Sequence, residues 1–234
     1  MIKTWMTPWL LMAVPFLGAA LSLLLRTSLQ RMKTSALLTT VASMLVVIGT
    51  PWALGDTLAG VPFLCLLPLT AFLSLLGQPL HRDNTSAWTT TLVLLGLGLG
   101  ILTAQAPAHD VMLLILPGLL CILLYRYQSG ATPETWRGLS AYGLSMMSAA
   151  LALVLPTPAS TVALLVTCAT LLPLLPVHSG FIATLAGLPG NLPAFLVFLL
   201  PTVGFHTLLT LLPNLTVTTL HTVAILALAG AVYG

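Results

Sequence analysis

Apolar runs close to 20 residues long, separated by brief polar punctuation, set the pattern of this chain. Segments near 5–25, 35–54, 61–78, 87–105, 110–127, 138–156, 160–177 and 192–212 each approach the length an α-helix needs to cross a hydrocarbon core. Another begins near 219. The pattern predicts an all-α integral membrane protein, a multi-span helical bundle forming a single transmembrane domain over 1–234. Every connection is short, with 178–191 expected as a loop, so none can hold an independent folded domain. In the stretch LLPLLPVHSGF, Pro173 and Pro176 predict that the seventh span is broken near its end, just before His178.

The two ends of the pattern differ from the middle. The first apolar run exceeds a secretory h-region and stops at a basic cluster rather than a small-residue site, so it is expected to stay as a helix. The last, TLHTVAILALAGAVYG, stops at Gly234 and would span about 24 Å, short for a crossing. Two readings stay open there: a true end packed on a partner, or a piece of a longer protein.

Composition strengthens the membrane reading. Hydrophobic residues make up 58% and charged residues 5%, where an ordinary soluble domain is roughly a quarter charged. Seven basic and four acidic side chains cannot cover a water-facing enzyme domain or a nucleic-acid face, so the net charge of +3 describes loops. Cys65, Cys121 and Cys168 each sit inside an apolar run without metal-ligand spacing and read as small packing residues. Gly96, Gly98 and Gly100 in LGLGLG predict close helix contact. Trp5, Trp9, Trp52, Trp88 and Trp136 lie near span ends, where interfacial anchors belong.

Charge also gives an orientation. Arg26, Arg31 and Lys33 follow the first span, Arg82 follows the third, and Arg126 and Arg137 flank the loop after the fifth. All these loops fall on one side of the predicted map. Lys3 lies opposite, as do Asp56 and Asp110 in the loops after the second and fourth spans. Because Lys and Arg favour the cytoplasmic side, the N-terminus is expected outside a cytoplasmic (inner) membrane.

Candidate chemistry is sparse. No Lys, Asp or Glu falls in the middle of a predicted span, and no paired carboxylates, phosphate-binding loop or His/Cys cluster is visible. No catalytic residue, cofactor or metal site is therefore assigned, and an enzyme acting alone has little support. In NLPAFLVFLLPTVGFHTLLTLL, Pro201 is expected to disturb the eighth span, and Thr202, His206 and Thr210 follow at i, i+4 and i+8 on one face. They could line a hydrated path, or hydrogen-bond to neighbouring helices and hold the bundle together. His178 likewise reads as a proton-accessible group at a helix break or as an interfacial cap.

From 171 onward, LLPLLPVHSGFIATLAGLPGNLPAFLVFLLPTVGFHTLL resembles a signature of the antiporter-like subunits of NADH:quinone oxidoreductase and related cation/proton antiporter complexes. Pro173, Pro176 and His178 match the family's broken span, Pro189 its loop, and Gly204 the glycine two residues past its second lysine. DVMLLILPGLLCILLYRYQ is similar to the family's fifth span, and VAILALAGAVYG to the start of its ninth. The resemblance implies the N-terminal half of a longer family member. Its proton-relay charges are replaced: the two lysine positions fall on Leu171 and Thr202, and the fifth-span glutamate on Pro117 or Gly118. The resemblance thus implies an accessory, non-pumping subunit that braces or couples to other membrane subunits of a complex such as an NADH:quinone oxidoreductase-like translocase. The alternative it leaves is a proton or inorganic-carbon transport subunit conducting through His178, Thr202, His206 and water.

Overall fold

The computed structural model describes residues 2–54, 61–127, 132–174 and 177–233, and the side chains outside 1–7, 51–63, 83, 128–131, 175–176 and 230–234. Asp56 and Pro176 lie outside the described residues, as do the side chains of Lys3, Trp5 and Trp52. The described residues form α-helices and short 3-10 turns, with no strand among them. In chain order the helices are α1 (Ile2–Leu24), α2 (Leu29–Leu54), α3 (Val61–Gly77), α4 (Thr85–Thr103), α5 (Ala108–Tyr127), α6 (Pro133–Val154), α7 (Ala159–Leu171), α8 (His178–Gly187), α9 (Leu192–Leu211) and α10 (Val217–Tyr233). Four of them are long and apolar enough to cross a membrane: Leu29–Thr50, Thr85–Thr103, Ala108–Tyr127 and, with a following 3-10 turn, Leu192–Asn214. Leu17, Leu24, Ile122 and Val154 are among many large apolar side chains that face outward. In water that surface would be costly, and in a bilayer it is the solvent-matched side. The chain is an all-α, multi-span membrane protein.

Every predicted span becomes a helix, and one predicted loop does not stay a loop. The seventh span ends at Leu171, and HSGFIATLAG then winds into α8 instead of connecting directly to α9. Pro173 explains the stop, since it lacks an amide hydrogen and disfavours a helical residue before it. The restart has a packing cause. Gly180 on α8 lies against Ala141 and the carbonyl of Arg137 on α6, so a segment too short to cross the bilayer is held by a neighbouring helix.

Helix ends follow local chemistry. Thr132 caps α6 by accepting a hydrogen bond from the Thr135 amide at 3.2 Å, with Pro133 in the first turn and Glu134 beside the positive end of the helix dipole. In α5, Asp110 occupies the first turn and Arg126 the last, each complementing the dipole.

Contacts gather the chain into two compact units, residues 1–109 with 189–199 and residues 110–188 with 200–234. In the first, α1 packs on α2 and α4, and α3 on α2 and α4. The expected glycine contacts are present: Gly96 faces the Phe16 ring, and a Cβ on Gly98 would come within 2.5 Å of Leu199 Cδ1 and 2.8 Å of Leu67 Cδ2. Trp88 corrects one expectation. It sits one turn into α4, near a span end as predicted, but its side chain is fully buried in a cluster with Ala19, Met32, Ala36, Leu75 and Leu92. The same α4 turn faces the neighbouring helices, so the indole fills the core rather than anchoring the interface. Trp9 and Trp136 are exposed.

The end of α3 is tied to its surroundings by polar groups. Lys33 Nζ donates to the carbonyls of Leu76, at 3.2 Å, and Gln78, placing a cation at the negative end of a helix. Ser74 Oγ donates to the Asn191 carbonyl at 2.8 Å. This stitches the entry of α9 to α3. Gly190 makes the turn from α8 into α9 with φ +61°, a conformation that suits glycine.

Replacing Gly98 by Val should overpack this unit and cost about 1–3 kcal/mol. Gly49→Ala, where a Cβ meets nothing within 4 Å, should be neutral or stabilising. Thermal unfolding of the two variants in detergent checks the contrast; equal midpoints would contradict the Gly98 contact.

Candidate functional site

The site is built around the break between α7 and α8, which belongs with α5, α6 and the second half of α9 to the unit 110–188 plus 200–234. A break in a membrane helix is tolerated only where its backbone groups find partners. Among the described residues, four amides find partners locally. Leu172 N donates to Cys168 O at 2.8 Å, Leu174 N to Ala169 O at 3.0 Å, Val177 N to Leu174 O at 2.8 Å, and Gly180 N to Val177 O at 3.1 Å.

Small residues bring neighbouring helices onto this break. The buried face of α6 reads Gly138, Ala141, Tyr142, Ser145, Ser148, Ala149 and Ala152, the three-and-four spacing of one helical stripe. A Cβ on Gly138 would stand 2.9 Å from Thr184 Oγ1 of α8 and 3.1 Å from Leu124 of α5. Further along, Ser148 Oγ and Thr167 Oγ1 of α7 lie 2.8 Å apart, and Ser148 also donates to the Ser145 carbonyl at 2.9 Å. Thr170 Oγ1 donates to Thr167 O at 2.7 Å, and Thr184 Oγ1 to Gly180 O at 2.8 Å. The result is a buried seam of hydroxyls joining α6, α7 and α8.

Two members of the seam keep unused hydrogen-bonding capacity. Ser145 Oγ and the Tyr142 hydroxyl are buried without a hydrogen-bond partner. Thr184 is the polar neighbour of Tyr142; its own hydrogen is committed to Gly180, which leaves its oxygen as the acceptor nearest the Tyr142 hydroxyl. At the first turn of α8, His178 is half-buried, and its Nδ1 is likewise buried without a partner. Hydroxyls and a neutral imidazole can donate, accept and relay through water, but none of the seam's hydroxyls can hold a charge near neutral pH.

The other sequence-predicted residues are placed as follows. Leu171 is fully buried at the last turn of α7. A Cβ on Gly204 of α9 would stand 3.0 Å from both Leu171 Cβ and Leu172 Cγ and 3.2 Å from Leu172 N, so the glycine lets α9 approach the backbone at the break. Pro117 is buried within α5, which continues through it, and a Cβ on Gly118 would stand 3.3 Å from Met146 Sδ. Thr202 and His206 are half-buried and Thr210 is exposed, its hydroxyl donating to Thr207 O at 2.7 Å. The buried face of this half of α9 is instead Val203, Gly204, Thr207 and Leu211. The Thr202–His206–Thr210 stripe therefore runs along the margin of that face, and α9 is helical through Pro201. Cys65, Cys121 and Cys168 are free thiols.

Sequence reading missed the α6 seam. Its signal was present in GLSAYGLSMMSAALA, where Gly, Ala and Ser recur every three or four residues. None of its residues is charged.

Fold and site together define a multi-span membrane protein with an interrupted helix closed by small and hydroxyl-bearing residues. Comparison with family models, curated proteins and solved structures finds no match to this chain.

The seam separates paired from unpaired hydroxyls, and substitutions should follow that division. Ser148→Ala and Thr167→Ala should each destabilise, with a coupling of about 0.6 kcal/mol in a double-mutant cycle. Ser145→Ala removes an unpartnered buried hydroxyl and should be neutral or stabilising. Unfolding in micelles provides the readout, and a Ser145→Ala loss larger than that of Ser148→Ala would contradict the assignment.

Proposed function

We propose that this chain is an accessory, antiporter-like subunit of an ion-translocating membrane complex, which braces or couples to partner subunits and does not itself pump. The observation that carries the reading is the contact of Gly204 with Leu171 and Leu172. In the resembled family these positions carry relay lysines; here they fall on Leu171, which is fully buried, and Thr202, neither of which can hold a proton's charge near neutral pH. Pro117 and Gly118, at the position of the family's glutamate, offer no titratable group either, so no charge is available to bias a proton's position by Coulomb interaction. Removing a mid-membrane charge spares at least ~2.5 kcal/mol of insertion cost, which lets a scaffold persist once pumping is carried elsewhere.

The basic residues Arg26, Arg31, Lys33, Arg82, Arg126 and Arg137 support placement in a cytoplasmic membrane with the N-terminus outside. In a background with Cys65, Cys121 and Cys168 replaced by Ser, Thr27→Cys should react with an impermeant thiol reagent only from the cytoplasmic side. Labelling from outside would reverse the orientation.

A second reading draws support from the unpartnered His178 Nδ1 at the break. In it the chain conducts protons or inorganic carbon through His178, Thr202, His206 and intervening water. Reconstitution separates the two. The accessory reading expects proteoliposomes of the purified chain to show no proton or sodium flux above protein-free vesicles, and the chain to co-purify with membrane subunits that carry the chemistry. Robust flux, abolished by His178→Ala or His206→Ala with assembly intact, would instead establish conduction.

A further inference from the structure

A long groove of about 970 Å³ runs between α1 and α2, entirely within the unit that holds α1–α4. Its composition changes along its length. Val14, Leu17, Leu21, Leu38 and Ala42 line one part, whereas Ser28, Gln30 and Arg31 line the other end. From Val14 to Leu25 on α1, and from Arg31 to Ala42 on α2, the lining extends about 16 Å at the helical rise. That matches one leaflet, about half of the ~30 Å hydrocarbon core.

We propose that this groove holds one acyl chain of an anionic phospholipid, with the lipid phosphate at Arg31. The order of groups fits an amphiphile lying head to tail: a cation and polar side chains at the membrane-surface end, hydrocarbon walls below. None of the lining residues is acidic, so the field at the polar end attracts a phosphate, and Arg26 and Lys33 lie within the same short stretch of sequence. Arg31 is exposed and presents a fork of donors suited to phosphate oxygens. Ser35 Oγ is buried there without a partner, but the two threonine hydroxyls of the groove are consumed by their own helix. Thr39 Oγ1 donates to Ser35 O, and Thr34 Oγ1 to Gln30 O, both at 2.8 Å within α2. Gly18 brings α1 onto the Thr39 side chain and forms the floor. A partner transmembrane helix fits less well. It would need an apolar groove across both leaflets, and this lining extends only about 16 Å from the Arg31 end to Val14 and Ala42.

The test is native mass spectrometry of the purified full chain in detergent, titrated with phosphatidylglycerol or with phosphatidylcholine of the same acyl composition. Phosphatidylglycerol should be retained preferentially. Arg31→Gln should weaken its retention about fivefold, the effect of one surface cation, while phosphatidylcholine adducts stay unchanged. Leu17→Trp, at a side chain 69% exposed and so safe for folding, should narrow the groove and reduce both lipids. Arg82→Gln removes a cation outside the groove and should change neither. Equal retention of the two lipids by the unaltered chain would overturn the proposal, as would wild-type phosphatidylglycerol binding by Arg31→Gln or an equal loss in Arg82→Gln. A co-purified partner whose helix shields Leu17 and Leu38 from lipid would also overturn it.

Discussion

In hydrocarbon, a polar backbone or side-chain group must find its partner inside the protein, and the architecture follows from that constraint. It explains why polar spans of this chain remain helical. In α2, Thr39 and Ser43 donate to carbonyls one turn back at 2.8 Å, so hydroxyls that would otherwise seek water are consumed by their own helix. The same rule governs the gap between α7 and α8, where four backbone amides close local turns. These described amides are satisfied without an ion or a charged side chain. What the break needs from its neighbours is close packing, supplied by Gly138 and Gly180 where α6 meets α8 and by Gly204 where α9 meets α7.

This packing accounts for how much was legible in the sequence. Helix positions followed from apolar run length and Pro punctuation, because the bilayer imposes a fixed ruler on every span. The break at Pro173 was equally plain. Trp88 was misjudged because run length locates a residue along a helix axis but says nothing about which face points inward. The loop expected over 178–191 failed for a related reason: α8 depends on docking against α6, a tertiary contact with no local signature beyond Gly180. The hydroxyl seam escaped notice because functional reading favours charges, whereas in membranes small residues and hydroxyls carry helix association. Ser148 and Thr167 are 19 positions apart, and neither is conspicuous alone.

The site and the α1–α2 groove place different demands on the chain. At the break, buried apolar groups surround a few unpaired polar atoms. At the groove, an apolar channel opens outward beside a cation. An accessory subunit would use the first to hold a rigid helix crossing and the second to engage the surrounding bilayer. Neither role depends on a titratable group in mid-membrane, which is consistent with charged side chains concentrated in the connections and at helix ends.

Leu171 is fully buried at the end of α7 with Gly204 packed against it, and the non-pumping reading requires that position to exclude water. The most direct test of this requirement places a single cysteine at Leu171 in a background with the native cysteines replaced by Ser, and measures labelling by a small impermeant thiol reagent from either side of the membrane. With Tyr125→Cys, an 80% exposed position, as the reactive control, position 171 should remain unlabelled from both sides. Rapid labelling of position 171 from one side would reveal a water-filled path through the break and rule out a non-conducting scaffold.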